Sequence, residues 1–335
     1  MSVIVGKPIG AGSPFKLPSM SPVEEWKFTG NTQVVRSVAA DLQGNVYSGG
    51  YDKTVRKINS SGSQVWSFDG NTKWVYGVAV DLQGNVYSGG EDETVRKINS
   101  SGSQIWSFTG NSNSVYAVAV DLQGNVYSGS YDNTIRKINS NGQQVWSFTG
   151  HTGAVNSVAV DLQGNVYSGG YDRTVRKINS SGGQVWSFTG NSSPVNAVAV
   201  DLQGNVYSGG GIDDRTVRKI NSSGSQVWSF TGNSSPVYAV AVDLQGNVYS
   251  GSQDSKIFKI NSLGAQVWSF VTNVQNVLGV AVDIQDNVYF AGGGNNTVQK
   301  FQQTADAILY LATDEKTPIY CKTIEKSGTN YLVRG

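Results

Sequence analysis

A near-identical segment recurs along most of this chain, and this repetition constrains the fold more than any other feature. One aspartate marks the same place in each copy. The positions are Asp41, Asp81, Asp121, Asp161, Asp201, Asp243 and Asp283, so the spacing is 40 residues except for one step of 42. Repeats of this length are typical of architectures in which each copy is one supersecondary unit that packs against its neighbours.

The copy at residues 115–150 predicts four short strands. An apolar run at 115–120 is followed by the turn residues Asp-Leu-Gln-Gly-Asn and then by a second strand from Val126. A β-branched run at 134–138 predicts the third strand, and 143–148 predicts the fourth. An isolated four-stranded sheet exposes both of its faces to solvent, so the copies are expected to pack face to face. Closing the stack of sheets into a ring then limits the number of exposed strand edges. The sequence therefore predicts an all-β protein, a β-propeller of four-stranded antiparallel blades.

Residues 147–179 resemble a WD repeat. Gly150 and His151 open the unit, and Asp172 stands in the turn after the second strand. The unit departs from that family at Ile178-Asn179, which replaces the Trp-Asp pair, and six of the seven units lack the histidine.

Residues 179–188 are similar to quinoprotein-type propeller repeats. Gly182 stands four residues before Trp186, and the resemblance implies that this outer-strand tryptophan docks between blades. Together the two resemblances cover about residues 23–311. They imply the fold and leave the function open, because propellers serve many unrelated tasks.

The whole chain, 1–335, is predicted to be one propeller domain. Residues 1–22 are expected to form an N-terminal arm, 23–314 the tandem repeats, and 315–335 a closing hairpin. Residues 23–29 match the fourth strand of a unit, although no first three strands precede them. If they complete the seventh unit, the ring has seven blades.

A composite eighth blade is the favoured expectation. Residues 307–311 fall in register with a fourth strand, so the seventh unit already has one. Residues 319–325 and 330–333 then predict two further strands, which would join with 14–17 and 23–29. Eight units of 40 residues need about 320 of the 335 residues. Eight blades are thus predicted, with seven as the alternative.

Composition excludes several classes of function. The chain has 25 Lys and Arg against 24 Asp and Glu, spread evenly over the repeats, which argues against a nucleic-acid partner. A single Cys321 and a single His151 exclude a Cys/His zinc site and a disulfide within the chain. The start lacks the features of a signal peptide, and no apolar stretch reaches membrane-spanning length. The predicted location is the cytoplasm, or a phage or secretion particle.

Comparison of the copies with one another separates two faces. The turns DLQGN and INSSG are nearly constant and lie on one side, whereas the loops on the other side vary and carry the insertion 211–215. Aromatic and arginine side chains anchor interfaces at little entropic cost. The alternative is that these loops have simply drifted. The predicted ligand-binding residues of this variable face are Arg36, Tyr51, Trp74, Tyr76, Glu91, Tyr116, Tyr131, His151, Asn156, Tyr171, Arg173, Asn196, Arg215 and Tyr238.

Individual residues have simple structural interpretations. Asp52 and its counterparts are predicted to accept backbone N–H bonds and to pair with an arginine, because one carboxylate per blade is too sparse for a calcium site. His151 is predicted to make a structural hydrogen bond, and Cys321 to be a strand residue without special reactivity.

The function predicted from these features is non-enzymatic recognition of a protein or a glycan through the variable face, in a specific form as a phage or prophage tail component. A structural scaffold or decoration subunit is the alternative, and a quinoprotein-type enzyme is a minor one. No cofactor, metal, nucleic acid or membrane insertion is predicted.

Overall fold

Six sheets each use four strands that are consecutive in the chain. The computed structural model describes residues 23–302, 323–327 and 330–334. The sheets pair antiparallel in chain order. Blade 1 contains β2 (Val35–Ala40), β3 (Val46–Gly50), β4 (Val55–Ile58) and β5 (Gln64–Phe68); blade 2 contains β6 (Val75–Val80), β7 (Val86–Gly90), β8 (Val95–Ile98) and β9 (Gln104–Phe108); blade 3 contains β10 (Val115–Val120), β11 (Val126–Ser130), β12 (Ile135–Ile138) and β13 (Gln144–Phe148).

The next three blades repeat this order with small changes in strand length. Blade 4 contains β14 (Val155–Val160), β15 (Val166–Gly170), β16 (Val175–Ile178) and β17 (Gln184–Phe188); blade 5 contains β18 (Val195–Val200), β19 (Val206–Gly210), β20 (Val217–Ile220) and β21 (Gln226–Phe230); blade 6 contains β22 (Val237–Val242), β23 (Val248–Ser252), β24 (Lys256–Ile260) and β25 (Gln266–Val271).

The seventh blade is completed by the first strand of the described residues. It contains β26 (Gln275–Val282), β27 (Val288–Gly293) and β28 (Val298–Gln302), and β1 (Val23–Phe28) pairs with β28 as the outermost strand. Lys300 on β28 lies 2.9 Å from the carboxylate of Glu25 on β1. The innermost strands contact one another in a closed cycle from β2 through β6, β10, β14, β18 and β22 to β26 and back to β2.

The expectation of eight blades is therefore wrong, and the ring has seven. The reason is that β1 bonds directly to β28, and β26 packs against β2, so no gap remains for an eighth blade. The fourth strand expected at 307–311 and the strand expected at 14–17 lie outside the described residues. The expected C-terminal pair is present as a two-stranded antiparallel sheet of its own, β29 (Thr323–Ser327) and β30 (Asn330–Arg334).

The hydrophobic core lies between blades. Each of seven clusters joins neighbouring blades; one unites Phe28 and Tyr289 of blade 7 with Val35 and Ile58 of blade 1. The second strand of every blade is buried along its whole length, because a blade covers it on each side. Its glycines allow this approach: a Cβ on Gly49 would lie 2.6 Å from Val75 of the next blade.

The outer-strand tryptophans dock between blades, as the resemblance to quinoprotein-type repeats implied. The Trp106 indole N–H donates to the Ser140 carbonyl of the next blade at 2.9 Å. Its ring faces Gly142, where φ is 84° and a Cβ would lie 3.0 Å from the indole. The Gly and Trp of the motif thus meet across blades rather than within one.

Glu24–Gln302 form one compact unit, and the strands β29 and β30 belong to a second one. Among the described residues no helix is long and apolar enough to cross a membrane.

Candidate binding face

A β-bulge near the start of each innermost strand aims one side chain at the mouth of the central channel. In blade 3 the register shifts between Val115 and Ala117, so Tyr116 is the extra residue. Bulges of this kind re-aim side chains and are common beside functional sites. The bulge residues form what we call the channel mouth: Arg36, Tyr76, Tyr116, Asn156, Asn196 and Tyr238, with Leu278 in the more irregular blade 7.

The channel mouth opens into a cavity of about 220 Å³ lined by all seven of these residues. The residues that follow them are small, such as Ser37, Gly77 and Ala117, and a ring of valines lies beyond. Asn156 and Asn196 each donate an amide N–H to a backbone carbonyl of the next blade, at 3.0 and 3.1 Å. Hydrogen bonds between blades thus fix two of the seven side chains, and the chemistry of the mouth differs from one side to the other.

Five aromatic rings form a continuous strip over blades 1 to 3. Tyr51 stacks on Trp74 with ring centroids 4.3 Å apart, and both make edge contacts with Tyr76. Tyr76 contacts Tyr116 at 5.2 Å, and Tyr116 contacts Tyr131 at 5.7 Å. Trp74 is 38% exposed and Tyr131 is 53% exposed. We call these five residues the aromatic strip; it runs from the outer loops into the channel mouth.

Charged groups flank the strip. Burial raises the pKa of the Tyr76 hydroxyl to about 12, the Glu91 carboxylate adds to the rise, and the Arg36 guanidinium opposes it. Burial and the neighbouring Tyr131 also raise the pKa of Tyr116, again opposed by Arg36. Arg36 lines the cavity together with Tyr76, and the backbone N–H of Glu91 donates to the Trp74 carbonyl at 2.9 Å, so both charged residues lie next to the strip.

The remaining predicted residues are dispersed. Tyr171 is 66% exposed on blade 4, and Arg173 beside it is exposed with a φ of 67°. In the insertion, Arg215 donates to the carbonyls of Ile212 and Ser234, at 2.8 and 3.1 Å, so it ties the loop to the next blade. Tyr238 lines the cavity but has no ring contact within residues 23–302.

Beneath the variable loops, a buried aspartate organises each of the first five blades. Asp52 accepts a hydrogen bond from the Thr32 backbone N–H at 3.1 Å and pairs with Arg56 at 2.7 Å. Arg56 also donates to the Asn31 side-chain carbonyl at 3.0 Å. Burial alone would raise the pKa of Asp52, but hydrogen bonds from Thr54 and Thr32 and the charge of Arg56 lower it overall. The predicted aspartate role, backbone acceptor and arginine partner, is confirmed for Asp52, Asp92, Asp132 and Asp172. In blade 6 the prediction of an arginine partner is wrong, because Asp254 lies 3.4 Å from Lys256 instead.

In blade 4 a histidine, instead of the arginine, is the close partner of the buried aspartate. His151 is buried, its Nδ1 is hydrogen-bonded to the Asp172 carboxylate at 3.0 Å, and its Nε2 is hydrogen-bonded to the Ser168 hydroxyl at 2.7 Å. Arg176 is displaced to 3.4 Å from Asp172. His151, although it belongs to the variable loops, thus lies below the surface and makes the predicted structural hydrogen bonds.

The constant turns on the opposite face are explained by their own hydrogen bonds. Asp121 accepts from the backbone N–H groups of Gln123 and Asn125, at 3.0 and 2.8 Å, and from the Tyr127 hydroxyl at 2.9 Å. Gly124 has a φ of 76°, a conformation that favours glycine. Sequence reasoning missed the bulges, because the apolar run at 115–120 contains no glycine or proline to mark an interrupted strand, and the bulge appears only in the strand register.

The fold and the channel mouth define a seven-bladed propeller closed by its N-terminal strand. A family profile described as outer membrane protein assembly factor BamB matches residues 51–161 and 141–317, and the chain belongs to this family. No curated protein is similar enough to count as a match. Among solved structures, the WD40 β-propeller domain of Doa1 is 19% identical with a TM-score of 0.76, and the likeness covers 85% of this chain and 98% of that one. At this identity the likeness shows the fold alone.

Proposed function

We propose that this propeller is a binding module that engages a protein partner through its variable face. The observation that carries the proposal is the aromatic strip. Five touching rings that remain partly exposed on a loop surface are unusual for a surface without a ligand, because large exposed apolar patches mark interaction sites. The same repeats carry both faces, yet this face differs much more from blade to blade than the nearly constant DLQGN and INSSG turns do.

The strip has the physical properties of an interface anchor. Trp74 and Tyr131 are exposed, but each is braced by a neighbouring ring. Tryptophan and tyrosine held in this way add contact area and lose little side-chain freedom on binding. The strip is also rimmed by Glu91 and Arg36, which supply charged contacts to a partner. The partner side is therefore expected to present apolar or aromatic groups.

The residues at the mouth support binding rather than catalysis. Nucleophilic or acid–base chemistry needs a nucleophile and a base within hydrogen-bond reach. The cavity lining contains neither a carboxylate nor a histidine. We accordingly expect no redox or hydrolytic turnover, with or without added quinone and calcium. A bound chromophore in stoichiometric amount in protein purified from its source would contradict this expectation.

The test of the proposed function compares two double variants of the full-length protein. Trp74→Ala with Tyr76→Ala removes the centre of the strip, and Gln83→Ser with Gln123→Ser changes the constant face. Each is immobilised and incubated with extract from the native source, and the Kd of any captured protein is then measured. The first variant should weaken binding at least about tenfold, or 1.4 kcal/mol, since interface anchors of this type cost roughly 1–4 kcal/mol on truncation. The second should bind as the wild type does.

Two outcomes would contradict the proposal. Binding that is lost in the constant-face variant but kept in the strip variant would assign recognition to the DLQGN turns. A partner that survives both changes would show that the strip is not the anchor. A glycan array probed with the same variants tests whether the ligand is a sugar instead of a protein.

A further inference from the structure

Arg36 is the one charged side chain among the residues that line the cavity. The other strand arginines of the first five blades lie near a carboxylate, as Arg56 does near Asp52. Within residues 23–302 no salt bridge involves Arg36, although it is half-buried. A guanidinium that is partly removed from water and has no counter-ion is costly to maintain. The Arg36 guanidinium in the channel mouth therefore lacks a counter-ion in that part of the chain, and an anion that binds there would be favoured.

The nearby carboxylates do not serve as the counter-ion of Arg36. The aspartates of the blades are committed to their own turns, as Asp92 is to Arg96 at 2.8 Å. Glu91 is close enough to raise the pKa of Tyr76 but forms no ion pair with Arg36. The rest of the lining is neutral, with hydroxyls from Tyr76 and Tyr116 and amides from Asn156 and Asn196. Both hydroxyls can donate hydrogen bonds to an anion held by Arg36.

The size and charge of the mouth favour a carboxylate. Its volume of about 220 Å³ holds several water molecules, each of which takes about 30 Å³ in the liquid, so an entering side chain can displace water rather than protein. A guanidinium matches the planar fork of a carboxylate with two parallel hydrogen bonds. A phosphoryl group carries about −1.5 to −2 charges and is usually bound by clusters of arginine, whereas a single arginine is present here.

We propose that the channel mouth binds one aspartate or glutamate side chain of a partner polypeptide, with its carboxylate on Arg36 and the neighbouring partner residues on the aromatic strip. Tyr76 and Tyr116 belong both to the strip and to the mouth, so one extended segment can reach both. This inference rests on the proposed function and adds to it the chemical class of the group recognised.

The test is selection from a random peptide library displayed on phage, against full-length protein. Wild type, Arg36→Gln and Arg36→Glu are selected in parallel, and Lys27→Gln is the control, an exposed cation on the outermost strand β1 that is neither in the mouth nor among the predicted binding residues. Wild type and Lys27→Gln should enrich peptides with an acidic residue at one fixed position beside aromatic residues. Arg36→Gln should lose that preference, and Arg36→Glu should replace it with Lys or Arg.

A selected peptide is then synthesised with its acidic residue and with the corresponding amide. Each change, in the peptide or at Arg36, should weaken binding about tenfold, and the two together should cost no more than one alone, because they remove the same contact. Peptides that need the aromatic strip but carry no acidic residue would overturn the carboxylate site and leave the proposed function intact. Peptides insensitive to both Arg36→Gln and Trp74→Ala, or no enrichment, would overturn both. Melting curves confirm that each variant is folded.

Discussion

Replacing Trp26 by alanine should destabilise the ring as much as the same change inside it. Trp26 on β1 donates its indole N–H to the Ser60 carbonyl of blade 1 at 2.9 Å and faces Gly62, where a Cβ would lie 2.8 Å from the indole. Its ring centroid lies 6.0 Å from that of Tyr289 in blade 7. This is the contact made by Trp106 between blades 2 and 3.

The magnitude follows from burial. Truncation of a fully buried tryptophan to alanine costs about 3–5 kcal/mol, and Trp26 is half-buried, so about 2–3 kcal/mol is expected from packing. The lost hydrogen bond adds about 1 kcal/mol. The melting temperature should fall by about 5–10 °C, as measured by circular dichroism or calorimetry, and Trp106→Ala should give a similar fall.

A second measurement, the melting temperature of a variant that lacks residues 316–335, distinguishes a ring of seven blades from one of eight. Every strand of the seven blades lies between Val23 and Gln302, so the deletion should leave the melting temperature of the ring unchanged. An open ring would expose two blade faces and lose much of its stability, because the stability of repeat proteins comes from nearest-neighbour packing. If the deletion collapses the transition, or if Trp26→Ala melts as the wild type does, the closure described above is incorrect.

Three further predictions concern the buried network under the variable face, each measured by thermal melting. His151→Asn should lower the free energy of unfolding by no more than about 1 kcal/mol, because Arg176 can take the position that Arg136 has in blade 3. The double variant His151→Asn with Arg176→Ala should lose about 2–3 kcal/mol, because the buried Asp172 carboxylate is then unpaired. Equal losses of stability in both variants would refute this. Phe258→Arg should donate to the side-chain oxygen of Asn233, which lacks a donor among the described residues, as Arg56 does to Asn31, and raise stability, and a lower melting temperature would count against it. Burial tends to raise the pKa of Asp132, but its hydrogen bonds and a nearby arginine lower the pKa to about 2. The folded state therefore gains stability from ionisation of Asp132 above the ordinary pKa of 3.8, and the difference in melting temperature between wild type and Asp132→Asn should shrink as the pH falls from 3.8 towards 2. A difference that does not change with pH would contradict this assignment.

The repeated blade could be predicted from the sequence because local signals agree in every copy. Strand runs, Gly-containing turns and the outer tryptophan all point to one four-stranded unit, and that unit is observed from β2 to β25. The variable face could also be predicted, because the copies differ there and not on the DLQGN side. Asp52 and Arg56, four residues apart, form the predicted pair.

Ring closure could not be predicted in the same way. Residues 23–29 carry the same outer-strand pattern whether they complete a seventh or an eighth blade. The choice depends on which edge strand β1 bonds to, and the local sequence does not encode that long-range contact. The apolar run at 307–311 added a competing candidate for the outer strand of blade 7.

The joining of five variable residues into one strip was also beyond the sequence. Tyr51 and Trp74 belong to different blades, and their stacking at 4.3 Å depends on the angle between those blades. The bulge that turns Tyr76 and Tyr116 towards the channel depends on the strand register. Sequence comparison identified these residues but could not separate them from Tyr171, which lies apart from the strip.

Photo-crosslinking from two positions of one blade tests the central claim, recognition through the variable face, most directly. Tyr131→p-benzoylphenylalanine places the probe at the exposed end of the aromatic strip, and Gln123→p-benzoylphenylalanine places it on the constant face of the same blade. Both positions are exposed, so neither change should disturb folding. After irradiation in extract from the native source, we expect a partner adduct from position 131 and none from position 123. An adduct from position 123 alone would contradict recognition through the variable face.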